Sequence, residues 1–534
     1  MAGGLRFWGL GDLRPGLYRD EAIVGCQGLA LLRGETLPHR FWAPFARWPL
    51  WNIPEAASLG LLGGTVFALR LPAALTGVAG VAAATAVLAG RFGAWPALLG
   101  GGTLAFSFWH LEYSRLSLPH ILVVFQGILL MWLLLRLPAG SHGREGLATG
   151  LVAGTGLFSY YAGLHLLLVP VPALYVRWAL DPASRPGTLR RAGGVAAGLV
   201  LACALGLLTL STLRELGTGY RVGGAGEILR SLGGHLRALG LPTRPDPDVG
   251  FWGIYPPGGS FLSPTEALLC VCGLVVLLAR RNERWIGVLA AGWVLAALVP
   301  AAATGETLRT SRSVGVLVPV ALLAAAAGAG VARRFPRAAP ALVAVVLAAQ
   351  AGWTGWRYFG EYRRDPRVAL WSDRIDTEGA LALKDRAAVA PLVVASQIAY
   401  EFNPHLAFLL DREIRSGRIV HVPVGPDPAP SLEVVIRDPL QGQPALFLFR
   451  VRDIARPGSV ALALVNPDGL LGAGDEALRA GRYGAAARHY RKVLAWIPDF
   501  GIGHVRLAMA LEGMGDRGGA ERERAEAIRL GIRK

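Results

Sequence analysis

Ten apolar runs constrain this chain more than any other feature, because about 20 apolar residues in succession is what a helix needs to cross a hydrocarbon core. They fall at about 71–90, 93–110, 117–136, 146–161, 164–180, 192–210, 264–280, 285–303, 314–331 and 338–356. With 53% hydrophobic and 17% charged residues, the chain is too apolar for an ordinary soluble protein. The expected fold class is mainly α: a polytopic transmembrane helical bundle. Gly150, Gly154 and Gly156, and the Ala-rich stretch 321–329, suit close helix packing where lipid supplies no hydrophobic drive.

A net charge of +17 raises nucleic acid as a partner, but the basic residues sit between the apolar runs, which fits membrane orientation instead. Arg91, then Arg136 and Arg144, then Arg185, Arg190 and Arg191, then Arg280, Arg281 and Arg284, and finally Arg333, Arg334 and Arg337 mark alternate connections as cytoplasmic. Residues 1–70, the turn 111–116, the loop 211–263, the stretch 304–313 and everything after 357 then lie outside, in a multi-pass protein of the plasma membrane. Lys occurs only at Lys384, Lys492 and Lys534, as in a high-GC, bacterial coding sequence. Cys26, Cys203, Cys270 and Cys272 spell neither a disulfide framework nor a zinc site. No cofactor is certain, and a divalent metal is possible but not indicated. Met1 to Leu17 is neither a signal peptide nor apolar enough to be a span.

Four domains are expected. Residues 1–70 form a first outer loop with a juxtamembrane helix, and 71–356 the bundle of about ten spans with the outer loop 211–263. Residues 357–469, with β-rich runs at Leu392-Val393-Val394 and Ala445–Phe449, read as a small extracytoplasmic α/β domain. In 470–534 the text at Gly481–Tyr490 is echoed at Gly515–Arg524, a spacing of 34 residues, which is the tetratricopeptide period. About two copies cannot stand alone as a solenoid, so they are expected to pack on the preceding domain and to offer a surface to a protein partner.

Polar clusters fall in three outer segments. Tyr18-Arg19-Asp20-Glu21-Ala22 puts two carboxylates before a helical run to Leu32, where one acid can take helix N–H groups and the other face a substrate; a plain helix cap is the alternative. Glu55 and Arg70 flank an amphipathic stretch that turns into the bilayer with Pro72 at the first turn of the span. Glu112-Tyr113-Ser114-Arg115 forms the second outer turn, with His120 inside the next span, where an imidazole is costly unless it faces a polar cavity; Arg115 can equally snorkel to the interface. Glu306, Arg309 and Arg312 occupy a short loop between spans, where planar guanidinium forks suit lipid phosphate, against the alternative of a solvated turn.

In order, these motifs resemble the GT-C membrane glycosyltransferases, specifically family 39, the protein O-mannosyltransferases and lipid A aminoarabinose transferases. The resemblance rests on Tyr18–Ala22, Leu69-Arg-Leu-Pro-Ala-Ala-Leu75, Tyr113-Ser-Arg115, and Arg309 to Arg312 before Val318-Pro319, and covers roughly residues 10–400. It implies a sugar donor on a polyprenyl phosphate, an acceptor hydroxyl of a protein, glycan or lipid, inversion, Asp20 as general base with Glu21 orienting it, and Arg115, Arg309 and Arg312 on the departing phosphate. Glu112, His120, Glu306 and Arg70 would be accessory.

Two positions depart from the family. A span normally precedes the Asp-Glu loop, so an upstream-extended start is expected, the alternative being a loop tethered from one side, and His120 stands where relatives often carry an acid. The competing reading is a non-catalytic scaffold that recruits cell-envelope partners through 470–534. A transporter is disfavoured, because no inverted repeat of broken spans is evident and the polar clusters keep to one side.

Overall fold

A computed structural model describes residues 2–12, 16–35, 49–136, 143–181, 185, 187–208, 223–243, 255, 259–303, 310–396, 403–422, 431–437, 444–450 and 460–532. The described residues divide into two compact units. One comprises Met1–Asp12 with Gln27–Arg363, the other Leu13–Cys26 with Arg364–Lys534. The first outer loop is therefore not one piece: residues 13–26 belong with the C-terminal third of the chain.

In the first unit, α1 (Ala2–Phe7) precedes the second half of α2 (Arg19–Arg33), and α3 (Pro49–Leu62) leads into α4 (Val66–Phe92). There follow α5 (Ala94–Phe106), α6 (Phe108–Tyr113), α7 (His120–Arg136), α8 (Gly143–Gly154), α9 (Pro170–Leu180), α10 (Thr188–Leu208), α11 (Ala225–Gly240), α12 (Pro264–Ala279), α13 (Arg284–Ala303), α14 (Leu317–Arg334) and α15 (Ala339–Gly355). Each apolar run of the sequence is helical over most of its described residues. Among the described residues, five helical stretches are long and apolar enough to cross a membrane: Val66–Phe92, Ala162–Leu180, Arg284–Ala303, Ser311–Arg334 and Ala339–Arg364. His120–Arg136 and Pro264–Ala279 are apolar but shorter. The stretch containing α14 forms the centre, with Leu317 to Ala329 buried throughout, because small side chains let α5 and α12 close on it.

Pro72 does not start its span. α4 begins six residues earlier, capped by Thr65, whose hydroxyl accepts the Ala68 N–H at 3.1 Å. Inside a helix a proline cannot donate to the carbonyl four residues back. Here that carbonyl belongs to Ala68, and the Ser58 hydroxyl on α3 donates to it at 2.6 Å. The juxtamembrane helix thus supplies the hydrogen bond that Pro72 removes.

α8 and α10 run side by side on small residues. A Cβ on Gly150 would lie 2.2 Å from the Val195 carbonyl oxygen, and one on Gly198 would lie 2.4 Å from that of Leu147. Only glycine lets these two backbones approach so closely.

In the second unit, the first half of α2 accompanies α16 (Pro366–Trp371) and α17 (Arg374–Val389), then β1 (Leu392–Ser396), α18 (Pro404–Leu409), α19 (Asp411–Arg415), β2 (Ile419–Val422), β3 (Ser431–Arg437), β4 (Pro444–Arg450) and β5 (Val460–Val465). The strands form one mixed sheet in the order β2-β1-β5-β4-β3. β1 runs parallel to β2 and β5, while β4 is antiparallel to β5 and β3. Four helices close the chain: α20 (Pro467–Arg479), α21 (Tyr483–Trp496), α22 (Gly501–Gly513) and α23 (Arg517–Arg529). Val393 of β1 and Val465 of β5 share one core with Leu471, Tyr490, Val493, Phe500 and Leu507, so the helices are seated on the sheet.

Candidate active site

The Asp-Glu pair sits in the first turn of α2, and the helix divides its labour. Tyr18 is the N-cap position: its carbonyl accepts the first intrahelical bond from Ala22 at 3.1 Å. Glu21 reaches back so that its Oε2 accepts the Tyr18 N–H at 3.3 Å, one half of a capping box. Asp20, between them, is half-buried, and among the described residues no hydrogen bond or ion pair engages its carboxylate. Burial, then the negative charges of Asp373 and Glu21, push its pKa up to about 6, against the pull of Arg19.

This turn is gripped by residues within 373–377 and 404–408. Leu17 donates its N–H to Thr377 Oγ1 at 3.1 Å and accepts at its carbonyl from His405 Nε2 at 2.7 Å. Arg19 N–H donates to Asp373 Oδ2 at 2.8 Å, and the Cys26 thiol donates to the Pro404 carbonyl at 3.7 Å. Gly25 allows the approach, since a Cβ there would meet the Phe408 ring at 2.5 Å. Sequence reading missed Thr377, Asp373 and His405.

The first unit gathers the second polar group. α6 ends in the second outer turn, and Tyr113 OH lies 3.1 Å from Thr310 Oγ1, so Glu112–Arg115 and the segment leading to α14 meet. Arg312 is buried on the 3₁₀ turn Ser311–Val316, and its charge reaches His235 of α11. Arg309 and Glu306 lie outside the described residues.

Arg115 departs from its expected role. Its Nη1 donates to the carbonyls of Leu5 at 2.8 Å and Arg6 at 2.9 Å, and its Nη2 to that of Gly9 at 3.2 Å. The guanidinium also lies over the Tyr358 and Phe359 rings. A fork spent on the open C-terminal carbonyls of α1 holds that helix rather than facing a phosphate. Arg6 completes the attachment by donating to His110 Nδ1 at 2.7 Å. Arg70 donates to the Asp12 carbonyl at 3.0 Å, beside the 3.0 Å ion pair of Arg363 with Asp12.

The accessory candidates are enclosed. Tyr362 OH donates to Glu112 at 2.7 Å, and burial pushes that carboxyl up to about 8 in spite of the bond, so it is largely protonated at neutral pH. His120 is packed between Tyr113, ring centroids 4.6 Å apart, and Tyr160, 4.1 Å. Nearby, the Ser117 hydroxyl donates to fully buried Glu55 at 2.7 Å, an acid whose place beside an amphipathic stretch had not pointed to the interior. Among the described residues no group of three or more His, Cys, Asp or Glu could hold a metal ion.

Residues 44–210 match the family model described as dolichyl-phosphate-mannose-protein mannosyltransferase. That stretch takes in Glu55, Arg70, Glu112, Arg115 and His120, and begins beyond Asp20. No curated protein matches the chain. Among solved structures, ArnT from Cupriavidus metallidurans in the apo state is similar at 17% identity and a TM-score of 0.50, over 78% of this chain and 87% of that one. The same protein bound to undecaprenyl phosphate is similar at 16% identity and a TM-score of 0.52, over 82% of this chain and 95% of that one. A chain that follows ArnT over most of both lengths, and whose residues 44–210 match the mannosyltransferase family model, is a membrane-embedded protein of the GT-C glycosyltransferase fold.

Proposed function

We propose that this protein is a membrane glycosyltransferase that moves a sugar, a hexose, from a polyprenyl-phosphate donor to an acceptor hydroxyl on the outer side of the membrane. The observation that carries the reading is Asp20: an unengaged, half-buried carboxylate in a helix turn fixed from outside, on a GT-C fold. Its neighbour in fold, ArnT, was solved with undecaprenyl phosphate, a lipid of the proposed class. A carboxylate with a pKa of about 6 is mostly ionised at neutral pH and is a stronger base than a solvated aspartate.

Asp20 takes the acceptor's proton as the acceptor oxygen attacks the anomeric carbon. The bond from that carbon to the phosphate oxygen breaks, the lipid phosphate leaves with the electron pair, and single displacement inverts the centre. Arg312, with Arg309, supplies positive charge where the phosphate's charge grows. Arg70 and Arg363 add to the field around Arg115, which serves by holding α1.

The test is sugar transfer in membranes from cells expressing wild type or Asp20→Asn, over a panel of polyprenyl-phosphate sugars. Loss of a general base costs roughly 10²- to 10⁴-fold, so the variant should accumulate normally and transfer at least a hundredfold more slowly. Full activity in Asp20→Asn would sink the reading. A scaffold is the second reading, favoured by the two helical pairs of α20–α23, and it moves ahead if neither form consumes any donor.

A further inference from the structure

Asp373 has a conformation that its own helix does not explain. Among the described residues it is the one non-glycine with positive φ, at φ 49° and ψ 41°. It occupies the N-cap position of α17, and its carbonyl accepts the Thr377 N–H at 3.0 Å. An aspartate there ordinarily turns its carboxylate onto the first N–H groups of its helix. This one makes no such bond, and its Oδ2 instead accepts the Arg19 N–H at 2.8 Å, in the turn that bears Asp20. A left-handed residue of this kind persists only where its surroundings hold it, and such residues concentrate at working sites.

We propose that Asp373 is a positioning residue for Asp20, fixing the first turn of α2 through the Arg19 N–H and placing a second negative charge beside the base. The inference rests on the reading of Asp20 as base. The charged and titratable groups around the pair come from three elements: Arg19 and Glu21 on α2, Asp376 and Arg374 on α17, and His405 on α18. Arg374 is drawn to Glu378 at 2.7 Å, and Asp376 accepts from Asn403 at 3.1 Å. His405 Nε2 stands 4.0 Å from Asp373 Oδ2 while it holds the Leu17 carbonyl. Burial raises the pKa of Asp373 as well, with His405 opposing and Asp376 adding to the rise. Two raised carboxyls of like charge titrate as a pair, each making the other harder to ionise.

Asp373→Asn separates charge from shape. Asparagine tolerates the left-handed conformation and keeps an oxygen for the Arg19 N–H, while the charge is removed. The full-length protein in membranes would be read in two ways: the pH–rate profile of transfer, and the infrared pH titration of the carboxyl band that disappears in Asp20→Asn. The expected result is an acid limb and a band midpoint both lower by roughly one pH unit, the size of a like-charge effect at close range, with donor KM unchanged. Asp373→Ala should instead lose α2 order as well as rate. A band midpoint in Asp373→Asn equal to that of wild type would overturn the inference, whether or not transfer persists. Should Asp20→Asn retain full transfer, the base reading falls, and the infrared midpoint alone still decides the part played by Asp373.

Discussion

Asp20 and Glu21 are adjacent and chemically alike, yet the helix gives them opposite fates. Glu21 is drawn inward to the Tyr18 N–H, while Asp20, one position earlier, stays half-buried and unengaged. With a folded pKa of about 6, Asp20 must lose its proton before it can act as a base. Transfer should therefore be flat above about pH 7 and fall about tenfold per pH unit below about 6; a rate profile between pH 4 and 8 checks this. A limb near pH 4 would mean that a solvated carboxylate acts instead. The division between the two acids was legible in the sequence, because a helix start with two carboxylates offers one cap and one outward group. The holders of that turn were not: Asp373, Thr377 and His405 stand 354 to 388 positions away, and no local pattern links them to it. Arg115 was misjudged for a related reason. Its type and place fit a phosphate ligand, but the direction of its side chain depends on α1, whose bare carbonyls it finds.

Elements in the first unit meet through what their sequences omit. α8 and α10 approach on Gly146, Gly150, Gly194 and Gly198, a pattern of small residues every fourth position on both partners. Gly150→Leu should destabilise this pair by about 1–3 kcal/mol, the usual result of forcing bulk into a close-packed contact, seen as a lower melting temperature in detergent. Gly193→Leu, on α10 where a side chain would meet open space, should leave it unchanged. Apolar periodicity located these helices well because each run is long. It placed Pro72 wrongly because the start of α4 is set by Thr65 and by Ser58 on the neighbouring helix, neither of them apolar.

At the scale of the whole molecule, the C-terminal helices are not an appendage. Val393 and Val465 of the sheet lose their cover if residues 470–534 are removed, and with them goes the core that includes Tyr490 and Phe500. Such a deletion should leave the C-terminal unit open to protease and abolish transfer even if no partner docks there; limited proteolysis alongside the transfer assay checks both. Normal activity after the deletion would show that the sheet holds without its helices. The 34-residue echo announced paired helices, but the sheet strands they cover could be found only in three dimensions.

The long reach from Leu17 to Thr377, 360 positions, also orders events during synthesis. At about 5–20 residues per second, the ribosome needs roughly 20–70 seconds after making Asp20 to deliver the residues that grip its turn. Through that interval the growing chain inserts one apolar helix after another while its proposed base waits for a holder. A product that stops short of Ser372 would have its apolar helices and no finished turn, so the proposed base is held in place only once the last third of the chain has been made.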